Sequence, residues 1–373
     1  MSALFSGLSL RGLLLRNRVV VSPMCQYSSV DGRAMPWHLL HLGSLAMSGA
    51  GLLCTEATAV EPEGRISAAD LGLYDDAAEA ALVPVLAAIR AHSRMPVAVQ
   101  LAHAGRKAST QVPWRGGLQV AAAEGGWRTC APSPLTQRPG EELPEPLAAA
   151  GLVRVRDAFA AAARRADRLG IDAIEVHAAH GYLLHQFLSP LANQRTDEYG
   201  GSLANRMRFP LEVFDAVRAA FPADKPVGVR VSATDWMDHG WDLEQTVAFA
   251  RELARRGVDW IDVSSGGISP AQQIVLGPGY QVPFAEAIKR ATGVTTIAVG
   301  LITAPAQAED IVASGKADMV ALARAMLYDP HWPWHAAAEL GATVEAPPQY
   351  WRSAPHGHAA LFDTAITDPG RRG

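Results

Sequence analysis

Cysteine is scarce in this chain, and its scarcity excludes several kinds of site. The 373 residues include three cysteines, Cys25, Cys54 and Cys130. Their number is odd and they lie far apart, so the sequence supports neither a disulfide framework nor a four-cysteine zinc or iron-sulfur site. We therefore expect no metal centre built from cysteines.

The chain also lacks a large excess of either charge and lacks long apolar runs. The formal net charge is −4, and lysine and arginine are scattered rather than clustered. This pattern predicts no basic patch that would bind nucleic acid or an anionic membrane. No apolar run is long enough to cross a bilayer, and residues 1–18 show no signal-type segment. We therefore expect a cytoplasmic protein with a small-molecule partner.

Glycine-rich nucleotide-binding motifs are absent as well. The first predicted strand ends in Ser22-Pro23-Met24-Cys25, and neither GxGxxG nor a P-loop occurs in the chain. A doubly wound open sheet, the alternative architecture, normally carries a glycine-rich turn after its first strand. Its absence favours a different arrangement of strands and helices.

What the sequence does contain is a repeating unit, a short β-branched apolar run followed by a polar exit and an alanine-rich helical pattern. Eight such runs are predicted as strands: 18–24, 51–58, 96–101, 173–177, 226–231, 260–264, 295–299 and 318–323. Near-continuous apolar strands are typical of burial on both faces. The pattern predicts an α/β protein, a single (β/α)8 TIM barrel over residues 1–373.

Helices are predicted between the strands, with signals at both ends. The predicted ranges are 77–91, 152–169, 202–220, 243–256 and 305–314. Ser202 and Thr303 are N-cap candidates, and Gly170, Gly257 and Gly315 follow helices where a left-handed residue is favoured.

Two segments, about 105–146 and 185–201, exceed ordinary loop length, and both are expected at the carboxyl ends of the strands. Residues from about 105 to 146, rich in Gly, Pro and Trp, follow the third strand and are predicted to form a cap or hairpin over the barrel mouth. A tail of residues 331–373 carries Trp332, Trp334, Tyr350 and Trp351. We expect this tail to pack on its own barrel or on a neighbouring subunit.

The stretch Ile174–Tyr182 places three hydrogen-bonding side chains at the exit of the fourth predicted strand. These are His177, His180 and Tyr182. The commoner interpretation of such residues is structural: one histidine caps the strand, the other lies at the surface, and the tyrosine packs in the core. A metal site is another alternative, because barrel hydrolases and aldolases also place histidines at strand ends.

Other strand exits favour a bound nucleotide. Gly300 after the seventh strand and Arg324 after the eighth match the usual phosphate corner of such barrels. Arg230 ends a buried strand and needs an acceptor, either a neighbouring carboxylate or the edge of a heterocycle. Gln100 offers the amide groups that read a ring edge, or else is a satisfied core amide. Together these residues suggest flavin mononucleotide (FMN).

With the strand exits identified, the sequence resembles the Old Yellow Enzyme family of FMN-dependent reductases. The resemblance rests on Ser22-Pro23-Met24-Cys25-Gln26-Tyr27, Glu56-Ala57-Thr58, Gln100-Leu101-x-His103-Ala104-Gly105-Arg106, His177-Ala178-Ala179-His180-Gly181-Tyr182-Leu183 and Asn193-x-Arg195-x-Asp197-x-Tyr199-Gly200-Gly201-Ser202. Cys25 and the paired histidines are similar to the thermophilic-like, or xenobiotic-reductase, branch.

The resemblance implies a tightly bound, non-covalent FMN and NADPH or NADH as hydride donor. The residues it implies for the flavin are Ser22, Pro23, Met24, Cys25, Ala57, Gln100 and Arg230, with Gly300, Ala323 and Arg324 at the phosphate. Cys25 would tune the redox potential of the flavin. Arg230 would stabilise the negative charge acquired on reduction.

The family's activity implies roles for the histidines and tyrosines too. His177 and His180 would bind the carbonyl oxygen of an α,β-unsaturated substrate, an enone or enal, and Tyr182 would donate the proton. Tyr27 would line the pocket. The expected activity is that of an ene-reductase, an NAD(P)H-dependent oxidoreductase acting on activated C=C bonds.

Two alternatives remain open from the sequence, and one branch of the family is excluded. The chain could be a metal-dependent barrel hydrolase or lyase using His177 and His180, or a non-catalytic flavin redox sensor with Cys25 as the reactive group. The branch with an iron-sulfur cluster needs cysteines that this chain lacks.

A last expectation concerns assembly. Pro347-Pro348-Gln349-Tyr350-Trp351-Arg352 resembles the C-terminal motif that reaches a neighbouring subunit's active site in this branch. This implies a homodimer or a tetramer of dimers, with Trp351 or Arg352 in the neighbour's substrate pocket.

Overall fold

Eight of the strands close into a barrel. The computed structural model describes residues 2–364, and its strands are β1 (Leu8–Leu10), β2 (Leu13–Leu15), β3 (Val19–Val21), β4 (Leu52–Ala59), β5 (Val97–Ala102), β6 (Cys130–Ala131), β7 (Glu145–Pro146), β8 (Ala173–Ala178), β9 (Val227–Ser232), β10 (Trp260–Ser264), β11 (Thr295–Ala298) and β12 (Met319–Leu322). The barrel order is β3-β4-β5-β8-β9-β10-β11-β12, and β12 pairs with β3. All eight pairings are parallel. The predicted (β/α)8 barrel is confirmed.

Helices surround the barrel strands. They are α1 (Pro36–Ala46), α2 (Asp76–His92), α3 (Ala149–Arg168), α4 (Leu183–Leu188), α5 (Leu203–Ala220), α6 (Leu243–Arg255), α7 (Val282–Thr292), α8 (Pro305–Ala313), α9 (Arg324–Tyr328) and α10 (Trp332–Glu339). Their apolar faces pack on the outward side chains of the strands in one large core. No helix within residues 2–364 is long and apolar enough to cross a membrane.

The helix ends follow the sequence signals, with one exception. Ser202 Oγ accepts a hydrogen bond from Asn205 N–H, and Gly170, Gly257 and Gly315 have φ angles of 68°, 78° and 74°. The prediction of Thr303 as an N-cap is wrong. Ala304 is the N-cap of α8, and Gln307 Oε1 instead accepts a hydrogen bond from Thr303 N–H.

The strand interior changes from apolar to polar along the barrel axis. Because successive side chains of a strand point to opposite faces, β8 directs Ala173, Glu175 and His177 inward and packs Ile174 and Val176 against helices. Ala173 belongs to a lower apolar cluster, Glu175 accepts hydrogen bonds across the barrel, and His177 lies at the exit. The polar groups therefore collect toward the carboxyl ends of the strands.

An N-terminal hairpin closes the opposite end. Strands β1 and β2 pair in antiparallel register, and Leu10 and Leu15 pack against the lower interior residues of the barrel. That cluster also contains Val20, Leu52, Cys54, Ala98, Ala173, Trp260, Ile297, Val299, Met319 and Ala321. We call these residues, with the hairpin, the floor. The site is thus confined to the other end, the mouth.

The segment between β5 and α3 lies on the mouth side. It contains short 3-10 helices and a two-residue parallel pair, β6 with β7. Arg106 donates to Ile268 O at 2.8 Å, Gln137 donates to Gly267 O at 3.3 Å, and the Trp114 ring contacts Tyr27 edge-on at 5.8 Å. The segment therefore contacts the loops that follow β3 and β10.

The first predicted strand is longer than the observed one. Strand β3 ends at Val21, and Ser22 N–H makes a last hydrogen bond to Leu322 O at 3.0 Å. Pro23 follows and has no N–H with which to continue the ladder. The residues after it are therefore released from the sheet into the mouth.

The tail packs on its own barrel as far as residue 364. Helix α10 contributes Trp334 to a small cluster with Val344, Leu361 and Phe362, against which Trp351 is partly buried. A Cβ at Gly49, just before β4, would lie 2.6 Å from Glu345 O and from a Val344 methyl. The tail therefore lies where strand β4 begins. Residues 365–373 of the predicted tail lie outside the described residues.

Candidate active site

Three side chains from the β8 exit converge at the mouth. The rings of His177 and His180 meet edge-on with centroids 5.1 Å apart, and those of His177 and Tyr182 at 5.0 Å. His180 adopts a left-handed φ of 57°, and Gly181 follows with 73°. This turn places all three side chains on one side of the strand end, as the sequence pattern suggested.

Hydrogen bonds orient both imidazoles. Ala179 N–H donates to His177 Nδ1 at 3.2 Å, so a neutral His177 carries its proton on Nε2. That Nε2 lies 3.4 Å from His180 Nδ1, and His180 Nε2 lies 2.8 Å from Ser264 Oγ. Two ring nitrogens from different histidines are therefore held side by side.

Both histidines are neutral in the folded protein. Burial lowers the pKa of His177 and of His180 well below the usual value, and the positive charge of Arg230 lowers both further. A neutral imidazole donates one hydrogen bond and accepts another. The pair can therefore offer N–H groups to a substrate oxygen without carrying charge into the mouth.

The phenols and the thiol of the mouth are protonated. Burial raises the pKa of Tyr182 well above its usual value, and the nearby Cys25 and Tyr27 raise it further. Burial also raises the pKa of the Cys25 thiol, followed by the negative charges of Asp70 and Glu56. Among the described residues the Tyr182 hydroxyl has no hydrogen-bond partner. It is a protonated phenol with a free donor.

Beneath the histidines lies a buried polar layer. Arg230 on β9 stands opposite Asp262 on β10, with Nε 3.1 Å from Asp262 Oδ2. Gln100 Nε2 donates to Glu175 Oε1 at 2.8 Å, and Trp260 Nε1 donates to Glu175 Oε2 at 3.1 Å. The sequence left the partners of Arg230 and Gln100 open. In the structure, Arg230 lies beside a neighbouring carboxylate, and Gln100 makes a hydrogen bond in the core.

Arg230 nevertheless retains donor capacity. Its side chain is 8% exposed, and Nε, although close to Asp262, is not aligned to donate a hydrogen bond. No hydrogen bond from its guanidinium to a residue of the described chain is found. Since a buried guanidinium needs acceptors, these donors fit the carbonyl edge of a flavin ring.

The opposite side of the mouth has the features of a phosphate site. Gly300 has a φ of 116°, and a Cβ there would lie 2.6 Å from Gln281 Nε2, so the backbone passes too close for a side chain. Ala323 precedes α9 and Arg324 begins it. Arg324 is exposed and has no hydrogen-bond or ion-pair partner in residues 2–364, although its charge acts on Tyr280. A backbone close approach and an unpaired cation fit a phosphate group.

The exits of β3 and β4 complete this rim. Ser22 Oγ is buried without a hydrogen-bond partner, and Pro23, Met24 and Cys25 are half-buried. Ala57 on β4 lies opposite Gln100 on β5. The structure thus brings the residues predicted for the flavin to one end of the barrel.

Trp351 and Arg352 do not join this chain's own site. Trp351 Nε1 donates to Ala346 O at 3.0 Å within the tail, and Arg352 is exposed. Their predicted contact with a neighbouring subunit's pocket stays a prediction.

The sequence analysis missed several residues of the mouth. Lys107 donates to His180 O at 2.7 Å. Trp114 lies against Tyr27, and Asp70, whose pKa burial raises to about 7, acts on Cys25. Lys107 directly follows Gly105-Arg106 of the family motif, and this position is the one signal that could have indicated its place at the mouth.

Within residues 2–364, no group of three or more His, Cys, Asp or Glu side chains could hold a metal ion. His177 and His180 could supply two metal ligands, but no third ligand lies beside them in the described chain. Their neighbours are a hydroxyl, a phenol and two cations, which favour an organic anion or carbonyl instead.

Comparison with known proteins decides the family. The model of the NADH:flavin oxidoreductase / NADH oxidase family matches residues 3–342. The chain belongs to this family. The resemblance to Old Yellow Enzyme is thereby confirmed, and the chain is an NAD(P)H-dependent flavin oxidoreductase with FMN as cofactor. The non-catalytic sensor and the metal-dependent hydrolase or lyase are not retained.

Relatives span nearly the whole chain. An NADPH dehydrogenase of Geobacillus thermodenitrificans is 44% identical over 353 residues, 94% of this chain and 98% of the relative. One of Listeria monocytogenes is 43% identical over 355 residues, 95% of this chain and 99% of the relative. Among solved structures, morphinone reductase is similar with a TM-score of 0.76 and 28% identity, covering 98% of this chain and 94% of that one.

Proposed function

We propose that this oxidoreductase reduces the activated C=C bond of α,β-unsaturated carbonyl compounds, with Tyr182 as proton donor. The observation that carries the proposal is the convergence of two neutral imidazoles and a protonated phenol at the β8 exit. Transfer of hydride to such a substrate requires stabilisation of a carbonyl oxygen and delivery of one proton to carbon. The β8 exit offers side chains for both tasks.

The two histidines bind the carbonyl oxygen. His177 donates from Nε2, and His180 donates from Nδ1 when the Ser264 hydroxyl donates to its Nε2. The 3.4 Å between these nitrogens lets both N–H groups reach one oxygen. Because negative charge grows on this oxygen as the β-carbon accepts hydride, the donors stabilise the transition state more than the ground state.

Tyr182 supplies the proton. When bound, FMN supplies the hydride that it has accepted from NADPH or NADH. The resulting enolate needs a proton at its α-carbon, and the Tyr182 Oη–H bond breaks as the new C–H bond forms. The high pKa of Tyr182 keeps the phenol protonated at neutral pH until it is needed.

Other mouth residues hold the cofactor and the substrate. Ser22, Pro23, Met24, Cys25, Ala57, Gln100 and Arg230 line the ring site, and Gly300, Ala323 and Arg324 bind the phosphate. Arg230 places a positive charge where a reduced ring carries negative charge. Cys25 contacts Tyr27, and this pair sets the wall of the substrate pocket.

The finer classification and the assembly are part of the proposal. Cys25 and the histidine pair support the thermophilic-like branch, and the name NADPH dehydrogenase of the relatives favours NADPH as donor. We expect a homodimer or a tetramer of dimers in which Trp351 or Arg352 enters the neighbour's substrate pocket. Sedimentation of wild type and Arg352→Ala tests this, and a fully active monomer would contradict it.

The test is anaerobic NADPH oxidation by the purified yellow protein with 2-cyclohexenone. We expect oxidation that depends on the enone and yields cyclohexanone in equal amount. Cyclohexene, which has no conjugated carbonyl, is the matched control and should give none. Bound FMN that NADPH reduces but 2-cyclohexenone does not reoxidise would contradict the proposed activity.

A further inference from the structure

Lys107 occupies a position that the proposed mechanism does not use. It ends the 3-10 helix Gly105–Lys107, and its Nζ donates to His180 O at 2.7 Å and to Gly267 O at 3.1 Å. The same Nζ lies 5.0 Å from the centroid of the Tyr182 ring. One ammonium group therefore contacts the loop after β8, the loop after β10 and the phenol.

The two loops that Lys107 joins touch backbone to backbone. A Cβ at Gly181 would lie 2.1 Å from Gly267 O, and a Cβ at Gly267 would lie 2.5 Å from His180 backbone atoms. His180, Gly181 and Gly267 all have positive φ angles. The carbonyl groups of His180 and Gly267 point toward one cation, which offsets the repulsion between their oxygens.

We propose that Lys107 is a positioning residue for proton donation, which fixes the His180–Tyr182 turn and whose charge stabilises the phenolate left when Tyr182 gives up its proton. This inference rests on the proposed function of Tyr182. Lys107 itself transfers nothing. The proton passes from Tyr182 Oη to the substrate α-carbon, and solvent later returns a proton to the phenolate. A cation over the ring face is attracted more strongly once the ring carries negative charge.

The surroundings make the charge of Lys107 dependent on pH. Burial lowers the pKa of Lys107 to about 8, and the neighbouring positive charge of Arg106 lowers it further. The charged and titratable groups that face it are Arg106, Arg138, Glu141, His177, His180 and Tyr182. Of these, Glu141 opposes the shift, and the two histidines are neutral. Lys107 therefore loses its charge as the pH rises through about 8.

The first test is the pH profile of enone-dependent turnover. In wild type we expect turnover to fall as pH rises through about 8. Lys107→Met should lower turnover at pH 7 by about 10- to 30-fold, remove this fall, and increase the solvent isotope effect because proton delivery limits the rate. Lys107→Arg keeps the charge and has room in an adjoining cavity of about 310 Å³, so it should restore much of the rate.

Lys225→Met is the matched control. Lys225 Nζ also donates to a carbonyl, Ile171 O at 3.0 Å, and lies 5.3 Å from the Phe221 ring, but it is remote from the mouth. It should leave turnover and its pH profile as in wild type. Lys107→Met with turnover within twofold of wild type and the fall near pH 8 intact would overturn the inference.

A second measurement does not depend on enone turnover. Amide hydrogen exchange in residues 179–182 and 265–268 should be faster in Lys107→Met than in wild type or Lys225→Met, with FMN bound in all three. Equal exchange in these loops would overturn the positioning role even if wild type had no activity on enones. If wild type does not reduce enones but exchange is still faster in Lys107→Met, the positioning role is supported and only the proposed substrate is refuted.

Discussion

The floor and the mouth of the barrel are built from the same strands, but the floor consists of packed apolar side chains and the mouth of polar side chains on irregular backbone. The floor packs aliphatic side chains and Trp260 under an N-terminal hairpin. At the mouth, non-glycine residues adopt left-handed backbone angles after five strands, at Tyr27, Ser109, His180, Trp236 and Leu301. Among the described residues of the floor, one does so, Arg11 in the turn of the hairpin. Strained residues persist only where surrounding contacts fix them. The difference teaches that stability resides in one end of each strand and chemistry in the other.

Strand β8 shows the change within six residues. Ala173 packs in the floor, Glu175 accepts hydrogen bonds in the polar layer, and His177 faces the mouth. If this comparison is correct, substitutions at the two ends should have separable effects. Floor variants should lower stability, and mouth variants should lower activity or cofactor affinity.

The largest effect is expected at the mouth, for Tyr182→Phe. Removing the only proton donor proposed for carbon should slow enone-dependent turnover by about 100- to 10,000-fold. Stopped-flow measurement should find the reduction of bound FMN by NADPH much less affected, with the melting temperature unchanged. Tyr199→Phe, whose hydroxyl contacts Glu212 outside the mouth, is the control. Undiminished turnover in Tyr182→Phe would remove this residue from the mechanism.

The floor should respond in the opposite way. Leu15→Ala empties a fully buried position in the hairpin and should lower the free energy of unfolding by about 2–5 kcal/mol. Turnover per folded, FMN-bound molecule should stay at the wild-type value. The neighbouring Leu14 is 63% exposed, so Leu14→Ala should change stability by no more than about 0.5 kcal/mol. Equal losses in chemical denaturation of both variants would refute the floor as a packed core.

A smaller effect is expected at the phosphate side of the mouth. Arg324→Met removes an exposed cation that has no hydrogen-bond or ion-pair partner among residues 2–364, so the unfolding of the apoprotein should not change. The dissociation constant of FMN should rise by about 10- to 150-fold, the equivalent of about 1.5–3 kcal/mol for a hydrogen bond to charge. Fluorescence titration of the apoprotein with FMN measures this, with Arg255→Met on α6 as control. Unchanged affinity would exclude Arg324 from phosphate binding.

The smallest effect concerns pH and the buried histidines. The pKa of His177 is lowered in the folded state, so the unfolded chain binds a proton that the folded protein does not. Stability should therefore be greatest above the unfolded pKa of about 6.5 and fall as the pH decreases.

His177→Asn should reduce this loss between pH 7.5 and 6 by about 1 kcal/mol or less, as seen by denaturation at both pH values. His358→Asn, at an exposed position, should not alter it. An unchanged pH dependence in His177→Asn would show that His177 titrates alike in both states.

The sequence predicted best what is encoded locally. Short β-branched apolar runs indicated each barrel strand, and the His177-x-x-His180-x-Tyr182 spacing indicated one strand exit. Thr303 failed as a cap because the helix starts at Pro305, which makes Ala304 the N-cap residue. In the sequence, Ala304 carries no capping side chain, whereas Thr303 does.

Residues that act through distant backbone groups were beyond such patterns. Lys107 lies 73 residues from His180 and 160 from Gly267, and its carbonyl partners carry no side-chain signature. Arg230 was recognised as needing an acceptor, but Asp262 became identifiable only through the β9–β10 register. Such pairings depend on the closed barrel, which brings separate strand exits together.

The most direct test of the division between floor and mouth is an experimental structure of the FMN complex. We predict the phosphate at Gly300 and Arg324, the ring against Cys25, Gln100 and Arg230, and its open face toward His177, His180 and Tyr182. The floor should superpose on the arrangement described above. An FMN bound with its ring away from the β8 exit, or its phosphate away from Arg324, would contradict the account.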